Sequence, residues 1–266
     1  MKLPKINFSL WAWFWGILGL LYFFVPLYGT LDFSLRMVKG TLSLRAYQVV
    51  LKDPQFLDSF RYSAVMGLIT VLLGIAIFMP TVYWVHLRFP GVRPIMDIIT
   101  LLPFMVPVIV YVFGLIRTFS RAPFMLTLTP TGTDVIIAAG YVILAMPYMY
   151  RALDIGMQSI DVRTFTEAAQ SLGSNGFQVL VDVILPNMRV AVLSGALISF
   201  AMVIGELILG SFLVRPALGS YMEQMGRDHA YEPAALAIMS YALTWVCLGL
   251  LQFVSRSGNT QQVTGR

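Results

Sequence analysis

Long apolar runs separated by polar stretches dominate the chain. They cover Ser9 to Tyr28, Ser63 to Val85, Ile95 to Ile116, Val135 to Tyr150, Met188 to Val214 and Pro233 to Val254. About 20 apolar residues, rising 1.5 Å each, cross the ~30 Å hydrocarbon core of a bilayer. The pattern therefore predicts an all-α, polytopic membrane protein of six transmembrane helices; the fourth run is the shortest, and a five-span count would drop it. Trp11, Trp13 and Trp15 crowd one end of the first run and Tyr22 and Tyr28 the other, as interfacial aromatics do. That run is too long for a signal-peptide core, and no small-x-small cleavage site follows Phe24, Val25 and Pro26, so it is read as an anchor.

The polar stretches differ in character. Residues 29 to 62 are long and mixed, which predicts a segment on the membrane surface. Between Arg151 and Pro186 the apolar spacing is helical: Phe165, Ala168, Ala169 and Leu172 fall at i, i+3, i+4 and i+7, and Phe177, Leu180, Val181 and Ile184 repeat it. The turn Gly173-Ser174-Asn175-Gly176 parts the two sets, predicting a helical elbow between the fourth and fifth spans. Thr164 with Glu167 three residues on reads as a capping box, Gly173 as a left-handed C-terminal residue, and Pro186 as the first turn of the next span. The apolar stripe must be covered by the protein's own helix ends, by lipid or by a partner.

Composition narrows the class. Of 266 residues, 58% are hydrophobic and only 12% charged, against roughly a quarter charged in soluble domains; a soluble enzyme is excluded. The length leaves little room for an extramembrane domain, so 1–266 is read as one membrane domain, its core spans at about 63–254 and its anchoring span at about 9–28. The net charge of +5 is scattered over the loops, without the basic cluster that nucleic acid demands. With both ends on one side, Lys and Arg divide nine against nine, so loop charge does not orient the chain. Lys2 and Lys5, just ahead of the first span, tip the N-terminus towards the cytoplasm. Cys247 stands alone, and no Met, Cys or His cluster has metal-ligand spacing.

Candidate chemistry is sparse. Glu206 is the acid deep in an apolar run, where an unpaired charge costs at least ~2.5 kcal/mol. It is a candidate for the lining of a transport pathway, or else a hydrogen-bonded acid holding helices together beside Gly205 and Gly210. Pro103 and Pro107 bracket Phe104-Met105-Val106 and predict a bend in the third span. Tyr111 and Ser211 join Glu206 as candidate pathway residues. There is no phosphate-binding G-x-x-x-x-G-K-[ST] sequence and no lysine after Lys52. Energy for transport must therefore come from another polypeptide, and no catalytic, metal or cofactor site is expected in this chain.

The elbow reads Glu167-Ala168-Ala169, three residues, Gly173, nine residues, Val183, one residue, Leu185-Pro186. This resembles the EAA loop in the membrane subunits of bacterial ATP-binding-cassette importers of type I, with Val in place of Ile at one signature position. The rest of the chain is similar more loosely to the spermidine/putrescine permeases, through Leu197-Ile198-Ser199-Phe200 and Gly210-Ser211-Phe212; Arg215-Pro216 stands where those permeases carry Gly-Pro. The resemblance implies a permease subunit in the bacterial inner membrane that pairs with a second, non-identical permease. It also implies two ATPase subunits that hold the ATP and Mg, and a separate extracytoplasmic substrate-binding protein. Glu167, Ala168, Ala169, Gly173, Leu185 and Pro186 would then couple the permease to the ATPase, with the elbow and both termini cytoplasmic. A polyamine or related organic amine is the expected solute. An oxyanion, iron or another small solute is the alternative, and so is a secondary transporter driven by an ion gradient with Glu206 as carrier.

Overall fold

Helices form wherever the apolar runs fall. The structure is a computed structural model that describes residues 10–259, with the side chains of 11–243 and a few beyond, and it contains no strand among the described residues. Lys2, Lys5, Ser9 and Arg266 lie outside the described residues, as does the side chain of Cys247.

Two units make up the chain. The smaller comprises residues up to Asp53 with Gln224–Met239. It holds α1 (Leu10–Leu35) and the short α2 (Arg45–Lys52). Ser34 Oγ lies 2.7 Å from Tyr47 Oη, and Phe33 stacks on Tyr231 with ring centroids 4.8 Å apart. The apolar window of α1 buries none of its surface within the chain.

The larger unit, Pro54–Glu223 with the residues from Ser240 on, carries the packed core. Its elements begin with α3 (Pro54–Leu87), α4 (Arg93–Met105), α5 (Val108–Phe119) and α6 (Pro130–Gln158). The elbow follows as α7 (Val162–Ser171) and α8 (Gly176–Asn187), and then come α9 (Arg189–Ile204) and the five-residue α10 (Ile208–Phe212). Two further helices, α11 (Leu218–Asp228) and α12 (Glu232–Asn259), run across the division between the units.

By length and apolarity α1, α3 and α6 each suffice to cross a membrane, while α4 with α5 and α8 with α9 are bent pairs. The predicted third span is thus two helices meeting at 93°. Its prolines explain the break: Pro107 has no N–H to continue the ladder and drives Val106 into extended backbone, φ −96° and ψ 119°. The fourth span is longer than the apolar run. Thr129 caps it, its hydroxyl accepting from the Gly132 N–H at 3.1 Å, and Pro130 occupies the first turn, so α6 spans 29 residues rather than stopping at Tyr150.

α3, α6 and α9 pack on one another, and small residues set how closely. A Cβ added at Gly156 of α6 would collide with Ala191 Cβ on α9, and one at Gly195 of α9 would come within 2.8 Å of Met149 Sδ on α6. Towards the elbow the core joins Met79, Val82, Met149, Leu153 and Met157 to Val162, Val179 and Ile184. Towards the other end it joins Met66, Val112, Ile137, Tyr141, Val203 and Leu209.

Replacing Gly156 by Leu is expected to force α6 from α9 and destabilise the protein by about 1–3 kcal/mol. Gly16→Ala on α1, where a Cβ meets nothing within 4 Å, should leave stability unchanged. Thermal unfolding of both variants in detergent checks the contrast.

Candidate functional site

The elbow is built by its caps. Asp161, not Thr164, opens α7: its carboxylate accepts the Thr164 N–H at 3.1 Å and the Thr164 hydroxyl at 2.7 Å. The predicted Thr164–Glu167 capping box is therefore absent, because the helix starts three residues earlier. Glu167 instead accepts from Arg163 Nε at 3.0 Å on the exposed side. A reciprocal box does exist one turn on, where Asn175 and Gln178 exchange side-chain and backbone hydrogen bonds of 2.8 and 2.9 Å at the start of α8. Between the helices Gly173 has φ +92°, while the N–H groups of Ser174 and Gly173 donate to the carbonyls of Ala169 and Gln170. This is the double closure of a Schellman turn, and glycine is the residue that adopts its left-handed position without strain.

The middle of α8, Val179–Ile184, is a π-helix in which the Leu185 N–H reaches back five residues to the Leu180 carbonyl. Pro186 supplies the cause. With no N–H, and a ring that crowds the carbonyl four residues back, it widens the preceding turn. Pro186 thus lies in the second arm of the elbow, and the chain turns by 82° before α9 begins at Arg189.

The elbow is fastened to its own transmembrane core, and of the predicted stripe only Ala169 and Ile184 are buried, with Leu180 half-buried against the core. The buried positions of α7 are Val162, Thr166 and Ala169, with Val179 and Ile184 in α8. Thr166 Oγ1 lies 3.2 Å from the Tyr83 hydroxyl of α3. Phe165, Leu172 and Phe177 point outward, with 38, 88 and 73% of their surface exposed, alongside exposed Glu167 and Ala168. An apolar, unoccupied face therefore flanks the Gly173 turn. Leu185 is half-buried against the core.

Two ionic junctions hold the helix ends. At the elbow end Asp154 is fully buried. His86 Nε2 of α3 donates to its Oδ1 at 2.8 Å, Gln158 to its Oδ2 at 2.7 Å, and Arg93 of α4 to Oδ2 at 3.2 Å. At the other end Arg215 grips Asp134 of α6 through two bonds of 2.7 Å, Tyr62 of α3 donates to the same carboxylate at 2.6 Å, and Arg215 lies over the Tyr62 ring. Asp134 and Asp154 are 20 residues apart in one helix, about 30 Å, one hydrocarbon thickness. Sequence reasoning missed both, because the fourth run was ended at Tyr150. The signal lay in Thr129-Pro130, a helix start that places Asp134 in the second turn. Arg215 had been noted only as a departure from Gly-Pro.

Val214, just before Arg215, sits at φ +52°, a conformation that costs a β-branched residue roughly 1–2 kcal/mol. The clamp on one side and the Leu218 N–H donating to Ser63 Oγ at 2.8 Å on the other hold it there.

The candidate pathway residues go to separate partners. Glu206 stands in the break between α9 and α10, and its carboxylate oxygens accept the N–H groups of Ile208 and Leu209 at 2.8 and 2.9 Å. It thereby supplies partners to the free end of a five-residue helix. Ser211 donates to Glu223 at 2.8 Å. Tyr111 borders an apolar cavity of about 280 Å³ walled by Pro103, Val106 and Leu144, its hydroxyl buried without a hydrogen bond. Nor does any group of three or more His, Cys, Asp or Glu among the described residues have the arrangement to hold a metal ion.

Residues 83–257 match the family model described as the binding-protein-dependent transport system inner membrane component. The chain belongs to that family. This permease is 26% identical to the sulfate transport system permease protein CysT of Escherichia coli over 225 residues, 79% of each chain. It is 24% identical to the molybdenum transport system permease protein ModB of the same organism, over 78% of this chain and 96% of that one. A putative ferric transport system permease protein of Haemophilus influenzae is 28% identical over 69% of this chain and 30% of its own. Among solved structures, a bacterial ABC transporter that imports the acidic polysaccharide alginate superimposes with a TM-score of 0.69 at 16% identity, over 91% of this chain and 92% of that one. The permease is thus a multi-pass inner-membrane transport component rather than an ATPase.

Arg215→Ala should leave Asp134 without its bidentate partner and cost about 1–3 kcal/mol, whereas Val214→Gly should relieve strain and gain about 1 kcal/mol; denaturant unfolding in detergent reads opposite signs. The two Thr164 donors hold the Asp161 carboxyl below the usual carboxylate range. Its cap is present above an ordinary Asp pKa of about 3.9 and is lost as pH falls through the lower folded value. Hydrogen exchange at the Thr164 amide is expected to accelerate only below about pH 4.

Proposed function

We propose that this permease forms half of the membrane channel of an ATP-dependent importer and that the elbow is its coupling helix. The observation that carries the reading is the shared core. Val162, Ala169, Val179 and Ile184 pack with Met79, Val82 and Leu153, so a force applied to the elbow reaches α3 and α6 through direct side-chain packing. The exposed face of Phe165, Glu167, Ala168, Leu172 and Phe177 then receives a separate ATPase, with ATP and Mg on that subunit. The solved alginate transporter in complex with its substrate-bound periplasmic protein supports an extracytoplasmic delivery protein here too. Two ATPase subunits and a second, non-identical permease complete the assembly, with the elbow and both termini in the cytoplasm.

A small inorganic oxyanion is the solute this reading favours. Relatives named for sulfate and molybdenum transport cover most of the chain. Glu206 uses both carboxylate oxygens as acceptors for the Ile208 and Leu209 N–H groups, which gives it a structural role at the start of α10.

Glu167→Lys is the decisive variant, because Glu167 is exposed and its pair with Arg163 contributes little to folding. Tagged wild-type protein extracted from native membranes should co-purify with an ATPase and a second permease. The variant should keep the second permease and lose at least tenfold in ATPase, about 1.4 kcal/mol of docking energy. Equal ATPase recovery from both would remove the coupling role.

A further inference from the structure

A cleft of about 580 Å³ opens between α6 and α9 beside the elbow. Its walls are mainly apolar, formed by Pro147, Ile155, Ala191 and Ile198 among others, and Arg151 is its single charged residue. Tyr148 apart, the other polar side chains on its wall are already engaged with their own helices. Ser159 donates to the Gly156 carbonyl at 2.6 Å, Ser194 to that of Val190 at 2.8 Å and Asn187 to that of Val183 at 2.7 Å.

Arg151 differs from these. Its guanidinium is 64% exposed, and its nearest carboxylate oxygens, on Asp97 and Asp154, stand 3.5 and 3.9 Å away, beyond ordinary hydrogen-bond length. Asp154 is already taken by His86, Arg93 and Gln158, and neither acid lines the cleft. An ion moving along this wall therefore meets a cation whose compensating charges lie behind it.

We propose that the α6–α9 cleft is the elbow-side wall of the transport pathway and that Arg151 makes it selective for small inorganic oxyanions, a proposal that rests on the importer reading above. One loosely held guanidinium on an apolar wall attracts an anion and repels an amine. It lacks the converging donors that would trap the anion, as passage rather than storage requires.

Charged thiol reagents test the wall without reference to activity. In a Cys247→Ala background carrying Ser194→Cys, the purified complex is treated with an anionic sulfonatoethyl and a cationic trimethylammonioethyl methanethiosulfonate. The ratio of anionic to cationic labelling rates should fall about tenfold with Arg151→Gln and return with Arg151→Lys, as one charge a few ångströms away dictates. An unchanged ratio, or a cysteine that neither reagent reaches, would overturn the proposal. In proteoliposomes of the whole transporter, uptake of radiolabelled sulfate or molybdate should drop at least fivefold with Arg151→Gln while the ATPase stays bound. Uptake insensitive to the substitution, or absent from wild type for both ions, would also overturn it. Loss of the ATPase from wild-type preparations would instead count against the importer reading, and the labelling ratio would still report on the cleft.

Discussion

A carboxylate with no exposed surface, at the end of a membrane helix, has to be matched on every side or it unfolds the helix that carries it. Asp154 meets that demand by drawing His86 from α3, Arg93 from α4 and Gln158 from its own helix onto one group. Three helices, two of them more than 60 residues from the third, are thereby registered at the level where the chain leaves the bundle for the elbow. Arg215, Asp134 and Tyr62 repeat the arrangement at the opposite end of α6. Between the two junctions α3 and α6 are fixed both along their length and about their axes, and the glycine contacts of α9 add a third helix to the same block. The breaks at Val106, Met188 and Gly205–Leu207 lie outside that pinned pair.

The elbow and the break at Glu206 solve one problem in two ways. Each interrupts a helix, and each interruption leaves backbone groups that need partners. At Gly173 the backbone satisfies itself through the Schellman bonds, so the turn stays short and its flank is free for contact. At Glu206 a side chain does the work, within an apolar run where water is scarce. An acid in a membrane helix invites a reading as a transport group; here its hydrogen bonds show how much of its capacity is spent on holding α10 in place.

How much of this was legible in the sequence depended on whether the signal was local. The helical character of the runs, the Gly173 turn, the bend at Pro103–Pro107 and the elbow spacing are each set by residues within one or two turns and appear in the structure, whereas among the described residues length and apolarity give three spans, or five with each bent pair counted as one, against the six expected. The side of α7 that faces the core was misread. Periodicity picked Phe165, Ala168, Ala169 and Leu172, of which only Ala169 is buried, whereas the short arm pressed on Tyr83 also buries Val162 and Thr166. The extent of α6 was underestimated because Asp154 looks like the end of a span until its partners on α3 and α4 are known. Those partners lie more than 60 residues away, and no local pattern announces such a meeting.

The side chains that fill the elbow core have a mechanical consequence. Met79, Met149, Met157 and Met188 are all at most 2% exposed there, while the core at the opposite end is closed mainly by valine, isoleucine, leucine and tyrosine, with Met66, 7% exposed, as the buried methionine of that cluster. Thioether chains are unbranched, polarizable and cheap to rotate. They can follow a neighbour that shifts by a fraction of an ångström without leaving a void. The permease thus has a compliant joint where the elbow meets the bundle and stiffer packing at its far end, so a push on the elbow is absorbed as a tilt of the helices and not as a tear between them.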